Sequence, residues 1–62
     1  MDGKKLQKKL DEKQMTQTVL GEQVGVSRQM IARIVAETKQ PSLALAKAIA
    51  NALDCKLDEL LA

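Results

Sequence analysis

The chain is expected to be all-α, a compact domain of four to five short helices. Three observations predict this. No segment alternates apolar and polar residues in a run rich in Val, Ile or Thr, so no strand is expected. Apolar residues recur instead at i, i+3 and i+4. Thr16, Ser27 and Ser42 each precede such a stretch, where a side-chain oxygen can accept from the free N–H groups of a helix start.

Each element has its own reasons. Lys and Asp/Glu fill positions 2–13 around Leu6 and Leu10, which predicts a helix resting on the core by one narrow stripe, with Met15 as connector. Thr16 opens a second helix over 17–24, and Gly25 stops it by supplying a left-handed residue. Ser27 opens a third helix whose Ile31, Ile34 and Val35 share one face. It ends before Pro41, which also disfavours helical angles at Gln40. Ser42 caps a fourth helix over 43–53, with Leu43, Ala46, Ile49, Ala50 and Leu53 on one side. Its alanines favour helix and allow close approach. Leu57, Leu60 and Leu61 predict a short fifth helix.

Size and composition limit the function. A chain of 62 residues is read as one domain, residues 1–62, whose core supplies roughly 3–5 kcal/mol of net stability. Ten Lys/Arg against eight Asp/Glu leave +2, so nucleic-acid binding must depend on where the charges sit. The only cysteine is Cys55 and there is no His, which excludes an internal disulfide and a zinc site. No cofactor is expected, and no small-molecule ligand is evident. Without His or Tyr, and with only Lys56 beside Cys55, an enzyme is not expected. Cys55 reads as a half-buried packing residue. No apolar run reaches the 18 or so residues of a membrane span, so no membrane partner and a cytoplasmic location are expected. The lysines at 4, 5, 8, 9 and 13 face three acids in residues 1–13, and are read as a solubilising surface.

Residues 16–36 hold the informative pattern. Two helices flank Gly25-Val26-Ser27, with apolar residues at Leu20, Val24, Val26, Ile31 and Ile34. Gly21 lets two helices cross at roughly 90–120° without a side chain between them. Gly25 permits φ > 0 in a tight turn. Val26 fills the corner, and Ile31 and Ile34 anchor the second helix. These are the requirements of a helix-turn-helix.

Thr16-Gln17, Leu20-Gly21, Val24-Gly25-Val26-Ser27-Arg28-Gln29, Gln40-Pro41-Ser42-Leu43 and Leu57-Asp58-Glu59-Leu60-Leu61 resemble the phage-repressor and Cro-like (XRE-type) helix-turn-helix family. The resemblance covers about residues 4–61 and implies a λ-repressor-like fold. It also implies double-stranded DNA as partner, a homodimer, and a third helix, about 27–36, in the major groove. Two departures stand out. Family members often carry Ile-Glu-x-Gly where this chain has Ile34-Val35-Ala36-Glu37, so the third helix is free to extend and Glu37 brings a negative charge toward phosphates. Lys56 replaces the usual Ser before Leu-Asp-Glu, which loses that cap.

On a wheel of about 100° per residue, Gln29, Arg33 and Ala36 lie opposite the Ile31/Ile34 face, with Ala32 flanking. Arg can grip guanine O6/N7 with two bonds, and Gln adenine N6/N7. Arg28, Gln29 and Arg33 are therefore the base-contacting candidates, Arg28 also being placed for a phosphate. The resemblance implies that Gln17 binds phosphate and braces the Gln near the start of the third helix. It gives Lys39 a phosphate contact and places Thr38 in the same backbone-contacting loop. Ser27 is a cap whose neighbouring amides also suit a phosphate. Met30 fits either core packing or an apolar DNA contact, and Ala32 either a helix-favouring role or approach to a thymine methyl. Leu57, Leu61 and loop 37–40 are the family-implied dimer surface. The expected function is sequence-specific binding by a transcriptional regulator, read as a repressor. The alternative is a helix-turn-helix used for protein interaction, antitoxin-like or partner-binding. Val19 is apolar where an exposed polar residue is expected.

Overall fold

Every α-helix of the chain starts on a side-chain oxygen. Helix α1 (Gly3–Glu12) starts at Asp2, whose carboxylate accepts from Lys4 N at 2.9 Å and Lys5 N at 3.2 Å. Helices α2 (Gln17–Val24), α3 (Arg28–Val35) and α4 (Leu43–Ala52) start at Thr16, Ser27 and Ser42, each accepting from the N–H three residues on at 3.1 Å. A short 3-10 helix, Leu57–Leu60, follows. These elements belong to a computed structural model that describes residues 1–61, and no strand occurs among them.

Every α-helix also ends the same way. A residue with positive φ follows the last turn, and backbone N–H groups reach back three to five residues to satisfy free carbonyls. At the end of α2 this residue is Gly25 (φ 81). At the ends of α1, α3 and α4 it is Gln14 (φ 54), Glu37 (φ 62) and Asp54 (φ 52). Met15 N reaches Leu10 O at 2.9 Å, Thr38 N reaches Arg33 O at 3.0 Å, and Cys55 N reaches Ala50 O at 3.0 Å.

The fully buried side chains are Leu6, Leu10, Leu20, Ile31, Ile34, Ile49, Leu53 and Leu60. They come from every element, so no pair of helices stands alone. Helix α2 packs on both α3 and α4, α1 rests on α3 and the 3-10 helix, and α4 also meets the 3-10 helix. Burying a Leu or Ile side chain contributes about 1.5–3 kcal/mol before the entropy of ordering is subtracted. Met15, Val26, Met30 and Cys55 pack half-buried against this cluster.

The structure corrects three expectations and settles one open point. Leu43 shares the helical phase of the α4 core stripe but is 64% exposed, because it is the first residue of α4 and contact with the buried cluster begins only at Leu45 and Ala46. The fifth helix is a 3-10 turn that buries Leu60, while Leu61 lies past its end and is 40% exposed. Helix α3 does not extend through Ala36, because Glu37 adopts the left-handed conformation that a glycine would have supplied. The cap at Lys56 is not wholly lost, since the Glu59 carboxylate accepts from Lys56 N at 2.9 Å.

Candidate nucleic-acid interface

The turn between α2 and α3 follows from two glycines with different tasks. Gly25 sits at φ 81, ψ 28, and the N–H groups of Gly25 and Val26 both reach Gly21 O, at 2.8 and 2.9 Å. Gly21 is buried in the crossing itself. A Cβ there would lie 2.7 Å from the Val26 carbonyl oxygen, too close for any side chain. Leu20 on α2 and Ile31 and Ile34 on α3 close the interface from inside.

This anchoring fixes what α3 presents outward. Ile31 and Ile34 are buried, whereas Arg28, Gln29 and Arg33 are exposed. None of these three side chains is engaged in a hydrogen bond or ion pair with a described residue. The ion pairs of the described residues are both made by Lys9. Ala32, half-buried, flanks them. Met30 is half-buried and packs against the core, in line with the packing role. Ser27 Oγ is occupied as the α3 cap by Met30 N.

The candidate phosphate-contacting residues flank α3. Gln17 opens α2, half-buried, and its Nε2 donates to Gln7 Oε1 of α1 at 3.5 Å. Gln7 Nε2 in turn donates to Asp11 Oδ1 at 2.9 Å. The expected brace between Gln17 and Gln29 is therefore not the bond formed. Asp11 can only accept, so Gln7 turns its nitrogen to Asp11 and its oxygen to Gln17. Of this chain only the i, i+4 spacing of Gln7 and Asp11 is readable in the sequence, because their meeting with α2 is tertiary. Thr38 Oγ1 donates to Arg33 O at 3.3 Å, and Lys39 is exposed one residue further on. Glu37 does not simply project its charge outward. Its carboxylate accepts from Gly3 N at 3.3 Å, at the positive end of α1.

Away from this face, Cys55 is half-buried, and desolvation first, then the Glu59 carboxylate, pushes its thiol above the ordinary range. That environment disfavours a thiolate. No described helix is long and apolar enough to cross a membrane.

The geometry agrees with what comparison finds. No curated protein and no solved structure matches the chain at a significant level. A family model described as helix-turn-helix matches residues 6–60, from the first core leucine to the last. With its glycine crossing, left-handed turn and anchored third helix, the chain belongs to the helix-turn-helix family of the phage-repressor and Cro (XRE) type, a family of DNA-binding regulators.

Proposed function

We propose that the chain binds duplex DNA sequence-specifically as a transcriptional repressor, with α3 in the major groove and two copies acting as a homodimer. One observation carries the reading: Gln29 and Arg33 are exposed and unengaged on the side of α3 opposite its buried Ile31 and Ile34, and Arg28 is exposed and unengaged in its first turn. Side chains held ready on a rigid helix suit base edges, which carry the sequence information. Gln17, Ser27 and Lys39 meet phosphates, with Thr38 beside them, and Ala32 lies close enough to the outward face to approach a base. The cytoplasm is the compartment this role implies.

Dimension supports a two-fold arrangement. The backbone is 23 Å across its longest axes. Half-sites one turn apart separate two recognition helices by about 34–36 Å. Two copies of that width fit side by side on one face of the duplex, leaving a narrow gap for side chains to close. Exposed Leu61, half-buried Leu57 and loop 37–40 are the proposed seam.

The test is selection from random duplexes with the purified chain. A palindromic consensus with half-site centres about 10–10.5 bp apart is expected. Arg33→Ala should relax preference at one base pair per half-site, at a cost of about 1–3 kcal/mol. Lys39→Ala should weaken all sequences alike. Absence of salt-dependent binding would overturn the reading in favour of an interaction module, for which exposed Leu43 is an available contact.

A further inference from the structure

We propose that the Met1–Gly3 segment is a brace for the loop after α3, and that Glu37 and Gln40 are positioning residues for the phosphate contacts of Thr38 and Lys39. The proposal rests on the reading of Thr38 and Lys39 as phosphate-contacting residues.

Loop 37–40 has no apolar anchor of its own. Glu37, Thr38, Lys39 and Gln40 are all exposed. Its two ends are held instead by backbone nitrogens of the first residues of the chain. Met1 N donates to Gln40 Oε1 at 2.8 Å, across 39 residues of sequence. Gly3 N donates to Glu37 Oε2 at 3.3 Å, across 34 residues. The nitrogen between them, Asp2 N, donates to Leu60 O at 2.8 Å, and Leu60 is fully buried. Three consecutive nitrogens thus hold the two ends of the loop and one fixed point of the core.

The fit at Gly3 shows that the junction is close-packed rather than a loose surface contact. Gly3 is buried, and a Cβ on it would collide with the carbonyl oxygen of Val35, the last residue of α3. Asp2, which caps α1, fixes the segment from the other side through Lys4 N and Lys5 N. The Met1–Gly3 segment is thereby tied to the loop that carries Lys39. A loop already ordered in its bound shape does not have to be ordered on binding, so affinity rises without any new contact. The same geometry draws the Glu37 carboxylate onto the N-terminus of α1.

The experiment uses the full chain and a mixed-sequence DNA duplex about 20 bp long, with affinity measured over a fourfold salt range. Glu37→Gln and Glu37→Ala both remove the charge, but only Gln keeps an oxygen that can accept from Gly3 N. Their difference reads the brace alone. Glu37→Ala should bind more weakly than Glu37→Gln at low salt and lose about threefold less affinity across the range, the salt dependence of one phosphate contact. Gln40→Ala should be similarly weak against the unmodified chain. Both losses should vanish when Thr38 and Lys39 are replaced by Ala, which a merely structural role would not produce. Circular dichroism confirms the fold of each exposed-site variant. Equal affinities for Glu37→Gln and Glu37→Ala, together with unchanged binding by Gln40→Ala, would overturn the brace. So would losses that persist in the Thr38→Ala/Lys39→Ala background. If Lys39→Ala leaves both affinity and salt slope unchanged, the phosphate reading itself fails, and the brace as a positioning device fails with it.

Discussion

The α2–turn–α3 unit and the junction of the chain's two ends are built on opposite principles. In the first, every determinant lies within about twenty consecutive residues: Thr16 and Ser27 cap, Gly21 permits the crossing and Gly25 turns the chain. In the second, the contacts join distant segments. Lys5 Nζ reaches Leu61 O at 2.8 Å across 56 residues, and Lys9 Nζ reaches Glu59 Oε1 at 3.0 Å across 50. The outward face of α3 is thus set by local sequence, whereas the frame that holds α1 against it is set by closure of the whole chain.

Gly3 and Gly25 make this difference measurable, because each glycine is required for one reason only. Gly3 is a helical residue with no positive φ, but its Cβ would strike the Val35 carbonyl. Gly25 has φ 81, yet nothing lies within 4 Å of its Cβ position. Gly3→Ala should therefore be the larger lesion, about 3 kcal/mol by overpacking a backbone contact. Against a net stability of roughly 3–5 kcal/mol, that leaves a substantial unfolded fraction in a thermal or urea melt. A wild-type melting temperature for Gly3→Ala would show that α1 and α3 separate at little cost.

Gly25→Val should cost about 2 kcal/mol, through backbone strain alone. Asn tolerates the left-handed region, so Gly25→Asn should recover most of that loss. Gly3→Asn should recover nothing relative to Gly3→Ala, since the collision at Gly3 begins at Cβ. Equal behaviour of the two Asn variants in urea melts would erase the distinction between a conformational and a steric glycine.

The same contrast explains what is legible in the sequence. The four α-helices and their order, three of the four caps, the Gly25 turn and the Ile31/Ile34 anchor are readable, because each is a local signal. Asp2 does not stand out as a cap among the charges that surround it. The stops of α1, α3 and α4 are unmarked, because Gln14, Glu37 and Asp54 occupy positions where glycine is the usual signal. At α3 this leaves the helix end open in the sequence, and only backbone geometry closes it. Leu43 misleads because periodicity fixes the phase of a helix but not where its covering partners end. On the proposed DNA-contacting face, the exposure of Gln29 and Arg33 is readable from the wheel, and Arg28 from its place in the first turn. The Gln7 partner of Gln17 and the Gly3 partner of Glu37 are not, since nothing in sequence spacing brings α1 to those places.

A residue held at positive φ without glycine leaves strain that can be relieved. Gln14 is the simplest case, exposed at φ 54 between α1 and α2, with no side-chain hydrogen bond to another described residue. Gln14→Gly should stabilise the fold by about 0.5–1 kcal/mol, the left-handed penalty removed less the added freedom of the unfolded chain. The corresponding Glu37→Gly should gain less, because it also gives up the hydrogen bond to Gly3 N. Identical gains at the two positions, measured by urea titration, would mean that the Glu37–Gly3 contact adds nothing to the junction.

The smallest expected effect is electrostatic and belongs wholly to the junction. The Lys56 backbone N–H and then the Lys9 ammonium hold the Glu59 carboxyl below its ordinary range. The Glu59 hydrogen bond, outweighing the opposing cost of desolvation, holds Lys9 above its own. A carboxylate with a depressed folded-state value contributes stability above its unfolded value and loses it as pH falls through the folded one. An ammonium with a raised value contributes below its unfolded value and loses that contribution as pH rises through the folded one. The pair is therefore intact across neutral pH and fails at both extremes, the acid side through Glu59 and the alkaline side through Lys9. Both charged groups reach solvent, so the gain is that of a surface ion pair and shrinks with salt. Glu59→Gln should lower the melting temperature slightly at neutral pH and converge with the wild type in acid, where Glu59 is protonated. The α2–α3 unit contains no ion pair among the described residues. In a Gly25→Val background, the pH-dependent effect of Glu59→Gln should therefore remain as it is in the unmodified chain. If that effect disappeared, the two regions would not be separable, and closure of the chain ends would depend on the turn.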